Sequence, residues 1–208
     1  MKRFTNTTST LVLALSLTLG ASAKEAIIPS TELVKPLISY VSEADAKDDV
    51  KAVYADIKST WGMVPEPIKG LSLNPKILRN TWESYKISGE NKNFSPKLGA
   101  MMRMLVAEKN NCKFCVGFNK GMLMGMLKVP EAEIMDLQKD PTTAKLPAKD
   151  KAMLLFMLKS TSTPHDVNKA DVDGLKKLGW SEKDIMEGVN QATHMVATAL
   201  FIDTFKIQ

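Results

Sequence analysis

The chain has 208 residues, 44% of them hydrophobic and 25% charged, which is enough for one sizeable core and excludes global disorder or a fibrous repeat. Its 28 basic and 23 acidic residues leave a net charge of +5, spread along the chain with no basic cluster interleaved with aromatics, so a nucleic-acid partner is not expected. Two cysteines and two histidines exclude a disulfide-stapled miniature and a multi-site metalloprotein.

Lys2 and Arg3, the apolar run Leu11 to Leu19 and the small residues Ala21-Ser22-Ala23 match the three regions of a secretory signal peptide over 1–23. The run is too short for the roughly 20 residues of a spanning helix. A periplasmic or secreted protein, with no membrane attachment after cleavage, is expected. Residues 24–48, with Pro29 and Pro36, read as an extended arm. From 49 to 208 the pattern is that of a single-domain, all-α helical bundle. Val50, Val53, Ile57 and Trp61 share a helical period that Gly62 and Pro65 stop. Asn74-Pro75 and Ser95-Pro96 each open a helix, the second running to about Lys109. Asn110-Asn111 interrupts it and can cap a further helix from Cys112 to about Lys128. Helices over Pro130 to Lys139 and Pro147 to Thr161 follow, and Asn168-x-x-Asp171 and Ser181-x-x-Asp184 have capping spacing. The last of these opens a long terminal helix to about Ile207. No alternating strand pattern competes.

Cys112-Lys113-Phe114-Cys115 is the segment with obvious chemistry. A separation of three residues places both sulfurs on one face of a first helical turn. The positive helix end, with Lys109 and Lys113 nearby, favours thiolate. In an oxidising compartment the two thiols will tend to pair. An inert bridge is the bland alternative, but closing a loop of about four residues stabilises by only ~2 kcal/mol, against nearly 5 for a loop of about 100. Zinc would need two further ligands, and the sequence alone does not place His165 or His194 beside the pair, while Val116 stands where covalent haem needs histidine. Six methionines between Met101 and Met126 raise a soft-metal site, but methionines two apart point to nearly opposite sides of a helix while Met122 and Met126 share a face, and core filling is the simpler use. Trp61, Trp82 and Trp180 read as packing anchors.

Over about residues 54–207 the chain resembles the alkyl hydroperoxidase D-like, or carboxymuconolactone decarboxylase-like, family, especially its peroxidase-related branch. The likeness is carried by Met63-Val64-Pro65, Asn74-Pro75-Lys76-Ile77-Leu78, and Leu105-Val106-Ala107 leading into Asn110-Asn111-Cys112-Lys113-Phe114-Cys115-Val116. Asp171-Val172-Asp173-Gly174-Leu175 and Leu178-Gly179-Trp180-Ser181 extend it. The family's peroxidase motif is Glu, eleven residues, Cys-x-x-Cys, three residues, His. The resemblance implies that Cys115 attacks peroxide, that Cys112 resolves the sulfenic acid, and that Glu and His relay the proton. Ala100 and Asn119 occupy the Glu and His positions here, so both titrating members are absent. Such a relay is commonly worth about 10²- to 10⁴-fold.

Disulfide exchange asks less of an acid than peroxide cleavage does. The expected function is therefore an exported thiol-disulfide oxidoreductase or weak peroxidase, with Cys112 and Cys115 catalytic. The nucleophile is open: the family analogy favours Cys115, the helix end favours Cys112 as the more exposed. Glu108 and Asn119 are auxiliary candidates, Asn119 for positioning only. His194 lies with Glu187, Gln191 and Thr198 on the polar side of the last helix and reads as a surface or subunit contact, and His165 as an exposed connector residue. No organic cofactor and no metal are implied. An external dithiol donor must recharge the pair, with a hydroperoxide or a protein disulfide as substrate. Family members pack as homo-oligomers, often in trimeric units. The alternatives are a binding or interaction protein with a permanent disulfide and, from the wider family name, a lactone decarboxylase, for which neither histidine has the right neighbourhood.

Overall fold

The computed structural model describes residues 35–207. The leader expected over 1–23 and the arm's first part, 24–34, lie outside them. The described residues form nine α-helices in order: α1 (Asp48–Trp61), α2 (Glu66–Lys69), α3 (Pro75–Glu90), α4 (Pro96–Lys109), α5 (Lys113–Gly125), α6 (Glu131–Lys139), α7 (Ala148–Ser162), α8 (Lys169–Lys177) and α9 (Glu182–Phe205). No strand occurs among the described residues.

Local chemistry explains the helix starts. Asn74 accepts from the amides of Lys76 and Ile77, and Ser95 from that of Leu98, each with a proline in the first turn. Asn168 with Asp171 and Ser181 with Asp184 form reciprocal capping boxes. Gly62 and Gly179, at φ of 79° and 88°, turn the chain after α1 and α8 in a conformation that costs glycine little.

Helix α4 lies at the centre. Leu98, Ala100, Met101, Met102, Met104, Leu105, Val106 and Ala107 are all buried, and the helix packs on α5, α7 and α9. A helix apolar on every side belongs inside a core. Leu123, Ile134, Leu137, Met153, Leu154, Trp180 and Ile185 complete that core. A second cluster forms where α1 lies on α3, around Val53, Ile57, Leu78 and Trp82. The described end of the arm is docked: Leu37 donates to the Phe205 carbonyl and Val41 to Ser72 Oγ.

Two sequence expectations need adjustment, and one short helix is added. Helix α5 stops at Gly125 rather than near Lys128, because Lys128 takes a left-handed φ of 55° to turn into α6. The four-residue α2 is too short to carry a periodic signal. Trp61 remains 44% exposed and meets the buried Trp82 edge-on at 4.9 Å, so it rims the second cluster rather than anchoring it.

Candidate functional site

The corner between α4 and α5 is built by hydrogen bonds that the two asparagines permit. Asn110 donates its amide to the carbonyls of Val106 and Ala107 and its Nδ2 to Val106 at 2.8 Å, closing α4. Asn111 then takes a φ of 57°, a conformation asparagine tolerates better than most residues. The Cys112 amide returns to the Ala107 carbonyl at 3.0 Å. That sequence of bonds leaves Cys112, rather than an asparagine, as the N-cap of α5, with its Sγ accepting from the Cys115 amide at 3.4 Å.

Cys112 and Cys115 are joined as a disulfide with a Cα–Cα separation of 5.3 Å, inside the ordinary range. Cys112 is 0% exposed and Cys115 3%, and both belong to the main core cluster. The expectation that Cys112 is the more open of the two is therefore corrected. Its amide is tied back beneath the corner, which turns the sulfur inward.

One turn beyond Cys115, Asn119 is also buried. Its Nδ2 donates to the Cys115 carbonyl at 2.9 Å, and its Oδ1 accepts from Arg103 Nε at 3.0 Å. The carboxamide is thus fully oriented by partners other than a sulfur. Ala100 is completely buried in α4, one turn before Arg103. The two positions at which the family places Glu and His hold a methyl group and a locked amide.

Arg103 escaped the sequence reading, although it stands as the sole charge in the run Leu98 to Ala107. Its Nη2 donates weakly to Met122 Sδ at 3.6 Å. Burial lowers its pKa from the ordinary arginine value, partly offset by the Tyr85 hydroxyl. The hydroxyl of Tyr85 lies 3.3 Å from Thr198 Oγ1, and its ring is 5.6 Å from that of His194. His194 therefore packs one side against α3 and remains half-buried. Glu108 is exposed and accepts from Gln138 at 3.1 Å, with no polar contact to either sulfur. His165 is exposed in the single turn Pro164–Asp166. Among the described residues, no group of three or more His, Cys, Asp or Glu could hold a metal ion. The chemistry available is that of a dithiol/disulfide couple with a permanent cation linked to the Cys115 turn through Asn119, and no titrating group in hydrogen-bond contact.

No protein-family model and no curated protein matches the sequence. Solved structures do match the fold. A peroxidase-related protein from Ralstonia eutropha JMP134, described as an alkylhydroperoxidase AhpD core, has a TM-score of 0.72 at 20% identity, over 83% of this chain and 91% of that one. A peroxidase-related protein from Silicibacter sp. TM1040 has a TM-score of 0.72 at 22% identity, over 86% and 94%. The debrominase Bmp8 has a TM-score of 0.67 at 17% identity, over 83% and 91%, and a cysteine-to-alanine variant of it has been solved with 2,3,4-tribromopyrrole. At these identities the likeness is one of fold: the chain adopts the AhpD-like helical architecture.

Proposed function

On an AhpD-like core, we propose that this chain is an exported thiol-disulfide oxidoreductase whose working group is Cys112–Cys115, with at most weak peroxidase activity. The observation that carries the reading is the pair itself: two cysteines joined at the start of α5, with Ala100 and Asn119 where a proton relay would stand. Peroxide cleavage must protonate a departing alkoxide, and neither group can deliver that proton. Exchange needs only a thiolate leaving group. A thiolate of an external dithiol attacks one sulfur of the pair, the S–S bond breaks, and the other sulfur leaves as thiolate. The donor's second thiolate then displaces the mixed disulfide, so the donor is oxidised by two electrons and the pair is reduced. The reduced pair passes the same two electrons to a protein disulfide by the reverse steps.

Residues 1–23 form the export signal in this reading. Assembly into a homo-oligomer is part of it too, supported by the exposed apolar side chains Phe118, Met126, Met186 and Leu200. Sedimentation of the exported protein as a monomer would remove that part.

One observation favours a second reading. Both sulfurs are buried, which also suits a permanent bridge in a binding protein on the same scaffold. The reduction potential separates the two: about −120 to −230 mV fits exchange, and below about −300 mV fits a structural bond. Stopped-flow mixing of the reduced protein with an alkyl hydroperoxide, an oxidised protein disulfide and, in view of the debrominase neighbour, a brominated pyrrole identifies the electron acceptor. Inertness toward all three sinks the enzymatic reading.

A further inference from the structure

We propose that Arg103 is the positioning residue that stabilises the thiolate formed at Cys115 when the disulfide opens, and that it thereby sets the redox poise of the pair. The inference rests on the exchange reading and deepens it. A guanidinium cannot shed its charge at ordinary pH, so even half-burying one, as Arg103 is, carries a cost that an accompanying anion would offset. Each of the ion pairs among the described residues joins a carboxylate to another cation, and Arg103 takes part in none. Its hydrogen bonds end on two neutral acceptors, the Asn119 amide oxygen and the Met122 thioether, and sulfur is a weak acceptor. Among the described residues, the oxidised protein therefore holds Arg103 with no carboxylate in ion-pair contact.

Asn119 ties that cation to the backbone of the turn that carries Cys115. Its one carboxamide takes Arg103 through Oδ1 and holds the Cys115 carbonyl through Nδ2, clamping the α4 side chain to the turn of α5 that carries Cys115. Cys115 and Asn119 are four residues apart on one helix and share a face. Opening the disulfide is the one event of the proposed cycle that creates an anion on that face. Among the other titratable groups around the site, the Tyr85 hydroxyl is the one that acts on Arg103 electrostatically. Tyr85 of α3 bonds Thr198 and neighbours His194 of α9, while Glu108 and Lys109 of α4 and Lys113 of α5 are exposed. A cation held by Asn119 one turn from Cys115 stabilises the reduced form relative to the oxidised one, and so makes the disulfide a stronger oxidant.

The experiment uses the exported protein and two kinds of variant. Arg103→Gln removes the charge, with Arg103→Lys as the charge-retaining rescue. Asn119→Asp keeps the shape and supplies Arg103 with an internal anion, so the variant remains informative if the core does not accept glutamine at 103. Thiolate content is followed by ultraviolet absorbance against pH on chemically reduced protein, and the reduction equilibrium is read against glutathione. Arg103→Gln and Asn119→Asp should each raise the Cys115 pKa, lowering alkylation at neutral pH about tenfold per pKa unit. The same variants should shift the equilibrium toward disulfide by a similar factor, tenfold being about 30 mV. Arg103→Lys should stay close to the parent. Unchanged titration and equilibrium in both charge-altering variants would overturn the assignment. The titration is made on reduced protein, so a potential below about −300 mV would defeat the exchange reading while leaving the Arg103 effect measurable.

Discussion

Cys112 and Cys115 have different surroundings, and the difference bears on which attacks first. Cys112 Sγ sits under the corner with no exposed surface and accepts the Cys115 amide, whereas Cys115 keeps 3% of its surface. A helix-end amide favours thiolate at Cys112, but a reagent must reach sulfur before thiolate content counts. In reduced protein, limiting iodoacetamide should therefore label Cys115 first, read by peptide mapping. Preferential label on Cys112 would show that electrostatics outweighs access here. The relay positions make a second residue-scale case. Ala100→Glu with Asn119→His restores the family's titrating pair, but the new carboxylate lies one turn from Arg103, which would hold it ionised and unable to shuttle a proton. Peroxide turnover should rise toward the about 10²- to 10⁴-fold scale of general acid/base catalysis only when Arg103→Met accompanies the double change. Equal turnover with Arg103 present and absent would refute that coupling.

Helix boundaries follow from caps, and the strongest cap has a pH signature. Asp184 is buried, which alone would raise its pKa, yet donors from Ser181, Asn93 and Asn91 hold it well below the ordinary 3.8. A carboxyl depressed in the folded state contributes stability that is complete above its unfolded value and disappears as pH falls toward the folded one. Asp184→Ala removes the returning half of the capping box and leaves the Asn93 amide short of an acceptor, while Asn91 keeps Glu187, so it should cost about 1–3 kcal/mol in chemical denaturation at neutral pH. The gap to the parent should narrow as pH drops below 3.8; a constant gap would mean that the ionised carboxylate is not its source. This box, Ser181-x-x-Asp184, was readable from spacing, as were Asn168-x-x-Asp171 and the Asn74-Pro75 and Ser95-Pro96 starts, because each is a contact between residues near in sequence. Less legible were the end of α5, decided by the backbone of Lys128, and the burial of Cys112, decided by a bond to Ala107. Arg103 was hidden for a further reason. Its partner Asn119 is sixteen residues away on another helix, and a lone cation in an apolar run carries no sign of what it touches.

Across the described residues, the disulfide belongs to the larger of two apolar clusters, the one centred on α4, and the cluster between α1 and α3 is separate from it. Elements with fewer shared buried contacts open at lower free energy than the central helix. Amide exchange should accordingly be slowest in α4 and faster across α1 to α3; uniform protection would show that the two clusters open together. The same reasoning sets how an external thiol reaches sulfur. With 0% and 3% of their surfaces exposed, the cysteines present little for a reductant to strike, so reduction has to wait for the α4–α5 corner to open. When reagent is scarce, the rate then rises in proportion to its concentration; when reagent outpaces reclosing, the rate becomes that of opening and levels off. A plateau in the reduction rate against dithiothreitol is expected, and Asn110→Ala, which removes the side-chain bond to the Val106 carbonyl, should raise it. A rate that stays linear to the highest reductant concentration would place an open path to Cys115 in the closed fold, and the corner would then have no part in gating exchange.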